Sequence, residues 1–316
     1  WGLMGSGNQT TGASPARMEA WSLNELGWVT VVPLTVNGTY SFGPAPTSDT
    51  TFLVRVQGAN TRKEYYLLEN RQAVQSDSAL IRVVCGRSGL VFPAGCRGGL
   101  AIWHVDSAKI QASKSVNLMN AGKIHGLSLE QADNLAELEK SPGTGDRGDG
   151  GDLWPGFGTG ASKARYSFDT SPAALSNDTN SSGTRVTFVG FELSSITQVV
   201  PDGAMSFQLA FGGITVIRSA DTLAKVKVDG TAYGRFAGLF TSGSTHTISM
   251  DSPQLTADGR TQFTWQSWSD GGALTHDITG NFAGDSISST VSTKYRILAT
   301  VQGIGSCGAQ SRSGCP

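Results

Sequence analysis

Residues 64–72, EYYLLENRQ, and residues 99–106, GLAIWHVD, are two short runs rich in aromatic and branched apolar side chains. Comparable runs occupy residues 28–32 and 51–57, and each run is bounded by glycine, proline, asparagine or serine. Short apolar runs with such boundaries are typical of buried β-strands. The four runs therefore predict strands of one sheet system.

The remaining sequence patterns predict helices, further strands and a division of the chain into two domains. A helix is predicted over residues 16–26, since Pro15 suits a first turn and Gly27 a left-handed stop, and a short helix is predicted near residues 135–140. The fold class expected is mainly β with few helices, with an α+β first domain over 1–212 and an all-β sandwich over 213–302. Gly212-Gly213 marks the expected boundary, and residues 303–316 are expected to be a linker or the start of a further module. Further strands are predicted at 126–131, 184–193, 205–211, 245–250, 263–268, 276–282 and 295–302.

Composition excludes several classes of partner. The chain has 316 residues, of which 41 are glycine, and it carries 24 basic against 25 acidic side chains. Without a polybasic run it lacks the charge that phosphate-backbone binding needs, so no nucleic acid partner is expected. No apolar run reaches the roughly 18 residues of a membrane span.

The four cysteines form two local pairs in glycine-rich sequence, Cys85 with Cys96 and Cys307 with Cys315. This spacing suits small disulfide loops and predicts a secreted, extracellular protein. The alternative is that all four are free thiols of a cytosolic protein.

No enzyme motif is complete in this chain. None of the four histidines precedes a glutamate, and no two lie four residues apart, so the His-Glu-x-x-His zinc motif is missing from the sequence. A Gly-x-Ser-x-Gly elbow and a phosphate-binding loop are missing too. Residues 143–148 match a dinucleotide fingerprint by spacing, but they follow an acidic helix and a proline rather than a strand, which excludes that role.

Five ordered sequence blocks nevertheless suggest a family. They are WGLMGSG at 1–7 with SPARMEAWS at 14–22 and LGWV at 26–29, YYLLENRQ at 65–72, GLAIWHVD at 99–106, LEQAD at 129–133, and RGDGGDLWPG at 147–156. Together they resemble the region just after the zinc helix in immune inhibitor A-like secreted bacterial metallopeptidases, over roughly residues 1–212. The resemblance implies a metzincin-like fold in this region.

It also implies a zinc metalloendopeptidase that hydrolyses protein or peptide substrates with zinc-activated water. The zinc ligands and the general base are expected upstream of Trp1, so this chain is expected to contain no catalytic residue and to be inactive alone.

The resemblance makes Met4 a candidate Met-turn, the apolar floor beneath the zinc site. The alternative is a buried methionine in a glycine-rich turn. On the strand interpretation Glu69 and Arg71 share one face, as do His104 and Asp106, because side chains two apart point the same way. If the strands are neighbours, the four side chains are expected to converge, either as a cluster that orients catalytic groups or faces substrate, or as a hydrogen-bonded network that holds the sheet.

Asp146, Asp149 and Asp152 lie in a glycine-rich loop shortly after three further acidic residues. Calcium takes six to eight oxygen ligands, so the loop is a candidate calcium site. The alternative is a solvated loop whose aspartates form local turns with backbone amides.

The C-terminal module resembles, more loosely, β-sandwich repeats appended to secreted bacterial hydrolases. Trp265 and Trp268 are candidates for a carbohydrate-stacking surface, which would give the module polysaccharide or cell-surface contacts. The alternative is that at least one is a core tryptophan, since a spacing of three places the two on opposite faces of a regular strand. The competing function for the whole chain is a non-catalytic extracellular β protein that binds a surface or a carbohydrate.

Overall fold

The computed structural model describes residues 15–58, 60–80, 98–140, 148–156, 163–198 and 203–296. Strands dominate this part of the chain and its α-helices are short, so the expected mainly-β class with few helices is confirmed. Contacts divide the chain into two compact units. The first contains the described residues up to Val216 with Ala237–His246 and Ile278–Ser286, and the second contains Ile217–Phe236, Thr247–Asp277 and the described residues from Ile287.

The elements are numbered in chain order. The helices are α1 Ala20–Glu25, α2 Ala45–Ser48 and α3 Ser107–Ser113, and 3-10 turns occupy Gln75–Leu80, Lys114–Val116 and Glu137–Glu139. The strands are β1 Thr30–Pro33, β2 Gly38–Phe42, β3 Thr50–Arg55, β4 Glu64–Gln72, β5 Gly98–Asp106, β6 Leu127–Leu129, β7 Phe191–Gln198, β8 Met205–Ser219, β9 Val226–Val228, β10 Thr231–Tyr233, β11 Arg235–Thr241, β12 Thr245–Ser249, β13 Gln254–Leu255, β14 Thr261–Trp268, β15 His276–Thr279 and β16 Ser286–Tyr295.

One five-stranded sheet organises the first unit, in the order β1-β3-β4-β5-β6. Strand β1 is parallel to β3, and the other neighbours are antiparallel. The four runs predicted to belong to one sheet system do so. Every residue of β5 is buried, as is nearly all of β4, which explains why neither sequence shows a simple two-residue alternation of apolar and polar residues.

The two faces of β4 and β5 pack into separate apolar clusters. Tyr66 and Ile102 join a cluster with aromatic residues of β2, β3, β7 and β8, including Phe207. Leu67 and Trp103 point the other way and join a cluster with α1 and α3. The central sheet is therefore covered on both sides, and polar side chains on either face are taken out of water.

The first helix is shorter than predicted. Sequence signals place it over 16–26, whereas α1 begins at Ala20. Two charged groups distant in sequence hold the preceding backbone, because the Arg17 N–H donates to Asp77 Oδ1 at 2.6 Å and Arg71 Nη2 donates to the Arg17 carbonyl at 3.2 Å. The predicted stop holds, since Gly27 has φ of +70°.

Other local predictions were displaced by tertiary contacts. The helix expected at 135–140 is the single 3-10 turn Glu137–Glu139, and the strand expected at 184–193 is β7, which begins only at Phe191. Strand β2 and helix α3 were not predicted. The last strand described is β16, which ends at Tyr295, where the sequence predicted a strand to begin.

The glycine pair at the expected domain boundary lies inside the 15-residue strand β8. A side chain at Gly212 would collide with the Phe240 carbonyl, and one at Gly213 with the Asn281 carbonyl. These glycines therefore permit close backbone packing. Whether residues 213–302 fold alone stays a prediction, and residues 303–316 lie outside the described residues.

A bulge in the second unit changes the faces of two tryptophans. Strand β14 pairs with β16 through Trp265↔Val291 and Trp268↔Ser289, with a register shift between Trp265 and Ser267. The extra residue brings both indoles to the same face, although a regular strand would separate them. Trp268 is buried, as the core alternative expected, and Trp265 packs beside the Phe263 cluster. Because Trp268 is buried, its indole offers no exposed face on which a carbohydrate could stack.

Candidate functional site

One cluster of buried charged side chains in the first unit is centred on His104 of β5. Its Nε2 lies 2.6 Å from Glu64 Oε2, and its Nδ1 lies 3.1 Å from Glu130 Oε1. The ring stacks on Tyr66, the residue opposite it on β4, with centroids 4.4 Å apart. His104 is thus enclosed between two carboxylates and an aromatic face.

Electrostatics favour the charged form of this histidine. Burial by itself lowers the pKa of His104, but its hydrogen bonds with Glu130 and Glu64 outweigh burial and raise that pKa above its ordinary value. Burial raises the pKa of Glu130, while the hydrogen bond from His104 and the charge of Arg185 bring the pKa below its ordinary value. An imidazolium between carboxylates has both nitrogens occupied as donors, so it has no lone pair for a metal or a substrate proton.

Asp106, two residues along the same face, completes this network. Its Oδ2 accepts from Arg62 Nε at 2.7 Å and from Asn177 Nδ2 at 3.1 Å, while Oδ1 accepts from the Lys109 N–H at 2.9 Å. The last bond caps α3, which begins directly after Asp106. The Asn177 N–H also donates to Glu64 Oε2 at 2.7 Å, which connects Asp106 to the His104 carboxylates.

Arg185 joins the buried network to the surface. Its Nη2 donates to Glu130 Oε1 at 3.3 Å and to the Leu175 carbonyl, and its Nε donates to the Ser176 carbonyl at 3.0 Å. Arg185 and Glu130 then line an open cleft of about 390 Å³, together with Lys123 and His125. His104 and Glu64 are fully buried, whereas Arg185 of the network is partly exposed in this cleft.

Glu69 and Arg71 occupy the opposite face of β4, in a second buried network. Arg71 Nε lies 3.0 Å from Asp77 Oδ2, and Glu69 Oε2 accepts from Trp103 Nε1 at 2.9 Å. Burial raises the pKa of Glu69 despite the nearby Arg71. The same carboxylate accepts from the Ala20 N–H at 3.3 Å, which ties α1 to the sheet.

The expected convergence of Glu69, Arg71, His104 and Asp106 was therefore wrong. Each pair does share a face, but the antiparallel register pairs Glu64 with Asp106 and Tyr66 with His104, which puts Glu69 and Arg71 on the other side. Both clusters consist of paired, buried charges, which agrees with the network interpretation.

The acidic loop is described only in part, since Asp146 lies outside the described residues. Asp149 Oδ1 accepts from the Gly151 N–H at 2.6 Å, and Asp152 Oδ2 accepts from the Asp149 N–H at 2.9 Å. These bonds are local turns of the kind the solvated-loop alternative expects. Within the described ranges no three His, Cys, Asp or Glu side chains are grouped to hold a metal ion. Calcium binding stays a prediction.

Five other predicted site residues fall outside the described residues: Met4, Cys85, Cys96, Cys307 and Cys315. The sequence reasoning also missed several members of the His104 network, among them Glu64, Asn177 and Arg185. Glu64 carries a usable signal, since it shares the parity of Tyr66 at the start of a predicted strand. Asn177 and Arg185 lie outside the strands of the structure, although Arg185 falls within the strand predicted at 184–193, so only the folded chain brings them to His104.

No family model, curated protein or solved structure matches this chain. Among the described residues, no helix is long and apolar enough to span a membrane.

Proposed function

We propose that this chain is the part of a secreted zinc metalloendopeptidase that follows the zinc-binding helix, and that the longer protein hydrolyses peptide bonds in proteins. The proposal rests on the five sequence blocks, and one structural observation supports it. The blocks are separated by up to 35 residues of other sequence, residues 30–64, yet their described parts contact one another around the central sheet.

Each later block contacts the one before it. The blocks at 65–72 and 99–106 are paired along β4 and β5, and the block at 129–133 follows through Leu129, which pairs with Trp103. In the last block, Trp154 donates from Nε1 to the Glu130 carbonyl at 2.9 Å, and its own carbonyl accepts from the Leu100 N–H at 2.8 Å.

The first block is anchored to the same sheet. Its residue Ala20 donates to Glu69, whose carboxylate is held by Arg71 and Trp103. The blocks that carry the resemblance are far apart in the sequence but lie in one buried assembly, as expected if these residues act together.

In this proposal the chain's own residues build a scaffold. The proposal places the zinc ligands upstream of Trp1. Zinc bound there would supply an activated water and polarise the scissile carbonyl. The buried charges of β4 and β5 keep the sheet and α1 in one arrangement. Moving these elements apart would leave a buried ion without its partner, which is strongly destabilising.

The test is the longer protein encoded in the same reading frame. Its upstream sequence is expected to contain His-Glu-x-x-His within roughly 100 residues of Trp1, comparable to one domain length. That protein should cleave casein, a chelator should abolish cleavage, and replacing the motif glutamate by glutamine should do the same. An unrelated upstream domain, or chelator-insensitive cleavage, would overturn the proposal.

Secretion and disulfide formation belong to the same proposal. Pairing of Cys85 with Cys96 and of Cys307 with Cys315 leaves no thiol to titrate in the denatured, unreduced protein. Four titratable thiols would contradict the extracellular assignment.

A further inference from the structure

The cleft beside the His104 network contains a positively charged donor in a fixed position. Arg185 already donates three hydrogen bonds, from Nε to the Ser176 carbonyl and from Nη2 to the Leu175 carbonyl and the Glu130 carboxylate. Its Nη1 has no hydrogen-bond partner among the described residues, and 28% of the side chain is exposed. A guanidinium held in this way loses little conformational entropy when a ligand accepts from it.

Two more donors line the cleft without partners. In the part of the chain that the structure describes, the side chains of Lys123 and His125 make neither a hydrogen bond nor an ion pair. The acidic groups of the lining differ, because Glu130 is bonded to His104 and Arg185, and Glu139 accepts from Gln131. Both carboxylates thus accept at least one hydrogen bond each, whereas Arg185 Nη1, Lys123 and His125 have no partner among the described residues, which favours a ligand with an anionic acceptor.

The residues that line the cleft also restrict the kind of molecule that can carry the anionic group. Two carboxylates border the cleft, so a dianion such as phosphate is repelled more than a singly charged group. Apolar walls from Leu129, Pro172 and Leu175 can cover an aliphatic body. The volume of about 390 Å³ is at the lower end of the range for small-molecule sites.

We propose that this cleft binds an organic monocarboxylate with a short apolar body, whose carboxylate is held by Arg185 and Lys123. The same chemistry is offered by a free organic acid and by the carboxyl terminus of a peptide that ends in an apolar residue. The inference uses only groups that line the cleft, so it stands whether or not the chain belongs to a peptidase.

The experiment is calorimetric titration of the 316-residue chain. The probes are N-acetyl-leucine, the matched neutral N-acetyl-leucinamide, inorganic phosphate and the tripeptide Ala-Ala-Leu. N-acetyl-leucine is expected to bind about tenfold more tightly than its amide, the ratio that one charge-assisted hydrogen bond provides. Tighter binding of the tripeptide than of N-acetyl-leucine would assign the peptide terminus as the source, and the reverse order would assign a free acid.

Variants identify the groups responsible. Arg185→Gln should weaken binding of N-acetyl-leucine about tenfold, and Lys123→Ala about threefold, since an exposed charge contributes less. Lys114→Ala, an exposed lysine that does not line the cleft, is the matched control and should leave affinity unchanged.

If Arg185→Gln fails to fold, the double variant Lys123→Ala with His125→Gln decides, because neither side chain has a partner among the described residues to lose. Affinity equal for acid and amide would overturn the proposal, and so would phosphate binding more tightly than N-acetyl-leucine. If the Lys123→Ala and Lys114→Ala variants bind N-acetyl-leucine with the same affinity, Lys123 does not hold the carboxylate, which contradicts the proposal.

Discussion

Replacing His104 by alanine tests whether the buried charges of the first unit stabilise it. The substitution removes an imidazolium that lies between Glu64 and Glu130 and stacks on Tyr66. Both carboxylates remain in place and lose a counter-charge. Removing one partner of a buried ion pair costs about 3–5 kcal/mol, and we expect a loss of unfolding free energy in this range near neutral pH or below.

The pH dependence of this loss follows from the two pKa shifts. Folding raises the pKa of His104 from 6.5, so its stabilisation is fully present below that pH and is lost as pH rises through the folded-state pKa. Folding lowers the pKa of Glu130 from 4.5, so its stabilisation is present above that pH and is lost as pH falls through the lowered pKa. The His104→Ala difference should therefore be largest between these two pH values and smaller in alkali.

The assay is urea unfolding followed by tryptophan fluorescence and circular dichroism, at about pH 6, below the ordinary histidine pKa, and in alkali at about pH 9. His125→Ala is the matched control, because that side chain is partly exposed and forms no hydrogen bond or ion pair with a described residue. It should change stability by no more than about 0.5 kcal/mol. A His104→Ala loss as small as the control's, or one equal at both pH values, would refute the reasoning.

Three further outcomes are expected. The chain alone should not degrade casein, and cleavage that a chelator abolishes would contradict this. Calcium at about 100 times its dissociation constant should add about 2.7 kcal/mol to unfolding, measured as a melting-temperature shift that magnesium and Asp149→Asn do not give. Equal melting temperatures with calcium, magnesium and chelator would count against the site. Gly99→Ala should cost about 2 kcal/mol or more, because its Cβ would lie 2.5 Å from the Trp154 carbonyl oxygen, whereas Gly234→Ala, with nothing within 4 Å, should be nearly neutral in urea unfolding.

Local pattern was sufficient for the central strands. Residues 64–72 were predicted and observed with the same bounds, and β5 begins one residue before the predicted start at Gly99. Short runs of aromatic and branched side chains, bounded by turn-forming residues, are typical of buried strands. The turn at Gly27 was predictable for a similar reason, since only a local conformation is required there.

Elements whose limits depend on distant groups were not predictable. The first helix begins at Ala20 because Asp77, Arg71 and Glu69 bind the backbone in and before its first turn. The faces of Trp265 and Trp268 depend on a bulge that exists only through pairing with β16. Neither effect can be recognised from the residues of the helix or the strand itself.

The candidate site divides in the same way. Alternation along a strand was enough to place Glu69 with Arg71, and His104 with Asp106, because parity within one strand is a local property. Which face of β4 meets His104 depends on the pairing register, and that register is selected by packing of two separate cores. Glu130 and Arg185 reach the histidine from segments outside both strands, so the imidazolium, its carboxylates and the adjoining cleft exist only in the folded chain.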